Sequence, residues 1–243
     1  MWLDKSDEGV FKRVRQQEHL ELYGSDADFY EEVYRRDSVH EPVLKWADRL
    51  GEGSEILVVG SGTGIVAEKL SKSHDVLGLE RSRDMLEVAR DRRPGVDFIH
   101  GDMRCFDINE DFDGVVAYGQ PASYLSKDDV VKFAINVKDH LQGDGWLFVD
   151  HFAPDATELT PEWREVPGTP VEVSEVYTQA GGGTVQAEFH YRFKDGSTVS
   201  ETHNLYIHET DTIQRIFSQK GFKPAKKGKY WKGAVYHCFT HRQ

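Results

Sequence analysis

Ile56-Leu57-Val58-Val59-Gly60-Ser61-Gly62-Thr63-Gly64-Ile65 is the stretch whose reading decides the fold. Its first four residues form a continuous apolar run, the mark of a strand covered on both faces, as in a parallel sheet. Three glycines follow at alternate positions, and Ile65 to Leu70 then carries a helical pattern. Glycines at a strand-to-helix junction let the chain turn sharply and let a ligand approach the backbone closely. The helix N-terminus beyond them offers unpaired N–H groups.

Outward from this unit the rhythm repeats. Asp75 to Leu79 reads as a second strand and Asp84 to Arg92 as a helix with Met85, Leu86, Val88 and Ala89 turned inward. Val96 to His100 and Gly114 to Ala117 read as further strands, Asp128 to Leu141 as a helix, and Gly145 to Asp150 as a fifth strand. Strands alternating with helices imply right-handed βαβ units and an α/β fold with a parallel sheet. After Asp150 the pattern changes. Val171 to Tyr177, Thr184 to Phe193 and Thr198 to Ile207 are strand-like, separated by Gly181-Gly182-Gly183 and Lys194-Asp195-Gly196, both hairpin-turn signals. This predicts an antiparallel insertion. Glu209 to Gly221 returns to helix, with Thr210 as N-cap, and Ala234 to Thr240 is a last strand. Upstream, Lys5 to Leu22 reads as a thinly amphipathic helix, Tyr23 to Asp26 as a turn, and Phe29 to Leu50, including Val39, as helical with an interruption near Pro42.

The chain has 243 residues and a formal net charge of −12, enough length for one large α/β domain with an insertion. Such acidity repels phosphate backbones and anionic lipids, so neither nucleic acid nor membrane is an expected partner. Lys223 to Lys232 is the basic exception, read as a solvated loop before the last strand. There is neither an apolar run of membrane length nor a leader pattern after Met1-Trp2-Leu3-Asp4, so a cytoplasmic location is expected. Cys105 and Cys238 lack zinc-type spacing and read as buried, reduced thiols; no metal site is expected.

Spacing narrows the ligand. The dinucleotide fingerprint G-x-G-x-x-G would place its third glycine at 65; this chain has Ile65 there and Gly64 one residue early. A tight turn without a ligand is the alternative reading of the loop alone. Glu80, ending the second strand, is placed to accept hydrogen bonds from ribose hydroxyls. Asp102, just after the third strand in Gly101-Asp102-Met103, is placed to accept from an adenine amino group, or else serves as a turn cap.

Taken together, Ile56 to Gly64, Gly78-Leu79-Glu80-Arg81-Ser82-Arg83-Asp84-Met85-Leu86, Gly101-Asp102-Met103-Arg104 and Phe112-Asp113-Gly114-Val115-Val116 resemble the motifs of class I S-adenosylmethionine-dependent methyltransferases. The resemblance is good from Phe29 to Asp150 and looser beyond. The N-terminal helices and the insertion are similar to a subgroup holding amino-sugar N-methyltransferases and glycine N-methyltransferase-like enzymes. It implies a doubly wound, Rossmann-like, mostly parallel seven-stranded sheet. On it sit an N-terminal helical cap (1–53), a cofactor core (54–152), a substrate-side β insertion (153–207) and a C-terminal part completing the sheet (208–243). It further implies S-adenosyl-L-methionine as cofactor, S-adenosyl-L-homocysteine as product, and a small-molecule acceptor methylated at N or O by a monomer or homodimer. The cofactor contacts it implies are Gly60, Ser61, Gly62, Gly64, Glu80, Arg81, Met85, Gly101, Asp102, Met103, Tyr118 and Gly119, with Tyr23 and Tyr30 folding over them as a lid. Family members carry an acid two residues before the first glycine. Here Val58 stands there, leaving backbone carbonyls of Gly60 or Tyr118, or the N-terminal segment, to hold the methionine end.

Methyl transfer needs alignment, exclusion of water and at most a proton acceptor, so no fixed triad is expected. Tyr124 follows the fourth strand and matches the place where relatives put a His or Tyr near the methyl group. It orients or deprotonates the nucleophile, or simply packs. His151, at the end of the fifth strand, is the expected general base, or a satisfied structural histidine. His190, His203, His208 and His237 read as structural or solvated. Tyr177, Phe189, Tyr191, Phe193 and Tyr206 alternate on the insertion strands, as sheet packing or as a substrate wall. A nicotinamide-dependent oxidoreductase and an inactive S-adenosylmethionine-binding protein are the competing readings.

Overall fold

A computed structural model describes residues 5–17, 19–35, 41–158, 161–231 and 233–241. Val39, Lys232 and the opening Met1 to Asp4, which entered the sequence reading, lie outside them. Strands β1 (Glu55–Val59), β2 (Asp75–Glu80), β3 (Asp97–His100), β4 (Phe112–Ala117) and β5 (Leu141–Phe152) are followed late in the chain by β10 (Phe222–Trp231) and β11 (Ala234–His241). They form one seven-stranded sheet in the order β10-β11-β5-β4-β1-β2-β3. The pairs β1–β2, β1–β4, β2–β3 and β4–β5 are parallel, while β11 is antiparallel to both β5 and β10.

The apolar run of β1 divides by its period of two. Leu57 and Val59 join Val115, Leu147 and Val149 in a core closed by α6 (Lys127–Asp139) and α7 (Thr210–Gln219). Ile56 and Val58 join Val116 and Phe148 on the other face, under α3 (Glu41–Ala47), α4 (Ile65–Leu70) and α5 (Arg83–Arg92). The sheet is thus covered on both sides, the doubly wound arrangement expected. Strand order reverses between β1 and β4, and the carboxyl ends of the strands there are where open α/β sheets bind ligands.

The insertion builds a separate four-stranded antiparallel sheet, β6 (Arg164–Glu165), β7 (Val171–Gly181), β8 (Thr184–Phe193) and β9 (Thr198–Tyr206). Its inner face carries Val171, Val173, Tyr191, Phe193 and Val199. These pack against Phe11 and Val14 of α1 (Lys5–Val14), the connecting Leu20 and Leu22, and Phe29 and Val33 of α2 (Ala27–Tyr34). The N-terminal helices and the insertion therefore share a core that neither could close alone. Leu20 N donates to Ser200 O, and His19 bridges to Ser200, so the segment after α1 runs along β9.

Three expectations need correction. Residues 223–231 are not a solvated loop but most of β10, paired along β11 with two register shifts. The charge pattern misled because an edge strand shows one margin to water and accepts lysines there. The first helix ends at Val14 rather than Leu22, because the following residues pair with β9. The N-cap of α7 is Glu209, without a side-chain cap, and not Thr210. Among the described residues no helix is long and apolar enough to cross a membrane.

Candidate active site

At the carboxyl ends of the parallel strands lies a cavity of about 680 Å³, bounded by the core on one side and by the N-terminal segment and the second sheet on the other. On the core side the loop after β1 is fixed by its own amides. Ser61 N donates to Leu79 O (3.1 Å) and Gly62 N to Glu80 Oε2 (2.9 Å). Glu80 Oε1 accepts from Arg81 N and Ser82 N, both at 2.8 Å. A carboxylate has about four acceptor sites, so Glu80 keeps room for about one further donor at the cavity edge. The same bonds weaken any reading of the loop as a pyrophosphate cradle, since amides that would face phosphate are already engaged.

Gly64 has a structural role. It has φ +89°, and a Cβ there would meet the Phe98 ring at 2.5 Å. It does not line the cavity, and neither does Met85, whose side chain is fully buried. Both were expected cofactor contacts. Gly64 is instead the left-handed residue that starts α4, and Met85 faces the interior because the first turn of α5 is set by Ser82, whose Oγ accepts from Met85 N at 3.1 Å. The remaining expected contacts, Tyr23, Tyr30, Gly60, Ser61, Gly62, Glu80, Arg81, Gly101, Asp102, Met103, Tyr118 and Gly119, all line the cavity.

Asp102 is clasped by Arg104, with Nε at 2.9 and 3.1 Å and Nη2 at 2.5 Å from the carboxylate oxygens. With Arg104 N also 2.9 Å from Oδ1, that hydrogen bonding holds the Asp102 carboxyl below its ordinary range; it is an anion, and a further donor must share it with Arg104. Across the cavity the loop after β4 is pinned from beneath. Buried Asp150, at the end of β5, accepts from Gly119 N (3.1 Å) and Gln120 N (2.7 Å), and from the Gln120 side chain at 3.2 Å. Gln120 is held at φ +60°, an uncommon conformation for a residue with a side chain. The sequence reading passed over Asp150. Its signal was an acid in the last apolar turn of a central strand, where an unpartnered charge is not tolerated.

The opposite wall is aromatic. The Tyr23 hydroxyl accepts from the Tyr124 hydroxyl at 3.2 Å, and the Tyr34 and Tyr191 hydroxyls lie 3.0 Å apart. Tyr23 and Tyr30 stack loosely at 5.8 Å, Tyr30 and Tyr34 at 4.6 Å. Enclosure by protein raises all five of these phenols, Tyr23, Tyr30, Tyr34, Tyr124 and Tyr191, well above the ordinary tyrosine range. They remain protonated, so hydroxyl groups line this wall. Of the alternating aromatics on the insertion, Phe189 and Tyr191 line the cavity. Phe193 is in the core shared with α1 and α2, and Tyr177 and Tyr206 are outside the lining. Glu175, buried, faces the same space and accepts from the Tyr177 hydroxyl at 2.9 Å, with Arg164 Nη2 3.7 Å away.

His151 is not on this cavity. It is fully buried on the far side of β5, its ring stacked on His237 with Nε2 atoms 3.2 Å apart and Nδ1 2.9 Å from Phe152 O. Burial pushes His151 down to about 4 and His237 down to about 3, so both are neutral near pH 7. Strand alternation explains the correction: Asp150 and Phe152 point one way along β5, His151 the other. The imidazole that does face the cavity belongs to His203 of β9, which the sequence reading set aside as structural.

A second unforeseen feature anchors the wall to the core. Arg93, buried, donates to Glu31 Oε1 (2.8 Å), Glu68 Oε2 (3.0 Å) and Thr63 O (2.9 Å), while Thr63 Oγ1 donates to Glu31 Oε2 at 2.6 Å. Helix α2 is thereby clamped directly under the glycine loop. Ser82 Oγ adds a bond to Tyr23 O at 2.6 Å. The two cysteines do not pair; Cys238 is buried and its thiol pushed up to about 11, whereas Cys105 is exposed, contrary to expectation.

Residues 56–145 match the family model of a methyltransferase domain. The matched segment runs from β1 to the start of β5. Beyond it, the chain is 29% identical over 187 residues to a dTDP-3-amino-3,4,6-trideoxy-α-D-glucopyranose N,N-dimethyltransferase of Streptomyces venezuelae, covering 72% of this chain and 78% of that protein. It is 34% identical over 146 residues to a dTDP-4-amino-2,3,4,6-tetradeoxy-D-glucose N,N-dimethyltransferase of Saccharopolyspora spinosa, covering 54% of this chain and 59% of the relative. Among solved structures, the S-adenosylmethionine-bound amino pentose methyltransferase of Micromonospora echinaspora superposes with a TM-score of 0.74 at 24% identity, covering 92% of this chain and 99% of that one. The chain thus shares its fold with this enzyme over most of its length.

Proposed function

We propose that this chain is an S-adenosylmethionine-dependent methyltransferase, of the one-carbon transferase class EC 2.1.1, acting on nitrogen of a small amine of the amino-sugar type. The observation that carries the reading is the placement of two carboxyl side chains, Glu80 and Asp102, at neighbouring strand ends around the glycine loop. A tyrosine-walled space opens on the other side of the same cavity. Glu80 suits ribose hydroxyls and Asp102 an adenine amino group, with Met103 beside the ring. The relatives' names, all N,N-dimethyltransferases of amino sugars, support nitrogen over oxygen.

The cofactor's sulfonium supplies an already activated methyl group. What remains for the protein is to place the acceptor in line, keep water out and manage a proton. The tyrosine hydroxyls orient the acceptor, and residues 153–207 with the N-terminal segment form the acceptor side. Val58 lines the cavity where relatives carry an acid. The methionine amino end is therefore held by main-chain carbonyls of Gly60 or Tyr118 or by the hydroxyls of the N-terminal tyrosines.

Calorimetry decides the ligand. S-adenosylhomocysteine is expected to bind and NAD not to. Asp102→Ala is expected to weaken S-adenosylhomocysteine about tenfold or more, the worth of a hydrogen bond to a charged group. NAD binding, or an unchanged affinity in Asp102→Ala, defeats the assignment. Strong S-adenosylhomocysteine binding with no methylated product across amino sugars and other small amines would favour a binding protein of the same fold.

A further inference from the structure

We propose that His203, oriented by Glu201, is the catalytic base that strips the proton from the acceptor's ammonium group. The inference rests on the N-methyl transfer reading above. A protonated amine has no lone pair, so an acceptor that arrives as a cation must lose a proton before its nitrogen can attack carbon. Among the described residues His203 is the histidine that lines the cavity.

Its geometry suits that task. On β9, Val199, Glu201, His203 and Leu205 share the inward face, by the period of a strand. His203 Nε2 lies 2.9 Å from Glu201 Oε1. At that ion-pair distance the carboxylate can only accept, so Nε2 is the nitrogen turned to Glu201 and Nδ1 the one left to take a proton. Nδ1 has no hydrogen-bond partner among the described residues. Glu201 is itself buried and fixed by Leu22 N at 3.2 Å, so the ring is held from behind. In front, the His203 ring centroid is 5.1 Å from Tyr23, 5.7 Å from Tyr124 and 5.5 Å from Phe189. It therefore adjoins Tyr124, the residue that motif position places beside the methyl group. Aromatic faces with buried carboxylates behind them are also a setting in which a cationic amine is attracted.

The titratable groups around His203 are Glu201 on its own strand, Tyr23 from the N-terminal segment and Tyr124 from the turn after β4. Tyr30, Tyr34, Tyr191, Glu175 and Arg164 stand farther round the cavity. The phenols are held protonated, and Glu175 is engaged by Tyr177 and faces Arg164, so none of them competes as proton acceptor. The step is a single proton transfer. The ammonium N–H bond breaks, its electron pair stays on nitrogen, and the proton passes to Nδ1. The resulting imidazolium is paired with Glu201 and returns its proton to solvent.

The test uses the full chain with three variants. His203→Asn is expected to lower kcat about 100-fold or more. It should also flatten the acidic limb of the pH–rate profile, with S-adenosylhomocysteine affinity, and so folding, unchanged. Glu201→Gln, which keeps a hydrogen-bond acceptor, should lose less, and Glu201→Ala more. Independently of turnover, nitrogen NMR of the wild-type protein should place the His203 ring hydrogen on Nε2, the nitrogen that faces Glu201. A proton on Nδ1 overturns the proposal. So does a His203→Asn enzyme that methylates amines with the wild-type rate and pH profile, which leaves N-methylation itself standing. A wild-type protein that binds S-adenosylhomocysteine but methylates no amine fails the parent reading, and the base role falls with it.

Discussion

On the core side of the cavity, position is set by main chain: Ser61, Gly62, Arg81 and Ser82 amides close on Leu79 O and Glu80, and Gly119 and Gln120 amides close on Asp150. On the acceptor side, position is set by side chains from distant parts of the sequence, Tyr23 on Tyr124, Tyr34 on Tyr191, Glu201 behind His203. The first wall needs only that neighbouring strands of one sheet be in register, β1 beside β2 and β4 beside β5. The second needs two sheets and an N-terminal segment to meet correctly. The contrast teaches that the core wall is set within one sheet and the opposite wall between two sheets and the N-terminal segment, so damage to one should leave the other measurable.

The clamp between the walls should give the largest effect. Arg93→Met leaves Glu31 buried without its cation, at a cost of about 3–5 kcal/mol. Urea unfolding should register that loss, and a change near zero would mean the helix α2 clamp contributes nothing to joining the walls. Asp150→Ala comes next. It strips the Gly119 and Gln120 amides of their carboxylate partner, a cost of about 1–3 kcal/mol. It should also weaken S-adenosylhomocysteine while sparing the tyrosine wall, as intrinsic tyrosine fluorescence can report; unchanged cofactor affinity would break the claim that this loop is set from below.

The smallest effect at neutral pH concerns His151 and His237. Unfolded, these residues take up protons below about pH 6.5; folded, they do so only near about 4 and about 3, because burial opposes charging. The unfolded state then binds more protons, so stability is full above about pH 6.5 and falls as pH drops toward 4. Proton uptake on unfolding near pH 5 should approach about two and should shrink by about one in His151→Phe. No uptake would show the pair to be solvated.

The same contrast sets what could be read from residues alone. Strand–loop–helix order, Glu80 and Asp102 were legible because each follows its strand within a few positions. His203 was not, because its meaning depends on β9 packing beside Tyr23 and Tyr124, which lie 180 and 79 positions earlier in the chain. His151 misled for a related reason: a strand end gives the right height above the sheet, but one residue decides the face. Glu31 and Arg93, 62 positions apart, form a buried pair that neither position signals by itself. Lysines concealed β10, since the pattern of an exposed margin is also the pattern of a loop.

Those lysines have a consequence for assembly. An open sheet margin is a template on which another chain can add a strand, and from there aggregates grow. On β10 the margin carries exposed Lys223, Lys226, Lys227 and Lys229, a proline at 224 and two irregularities of register. The opposite margin, β3, is only four residues long. Copies of this chain are thereby discouraged from fusing their seven-stranded sheets, and any stable self-association is directed to its helical and loop surfaces.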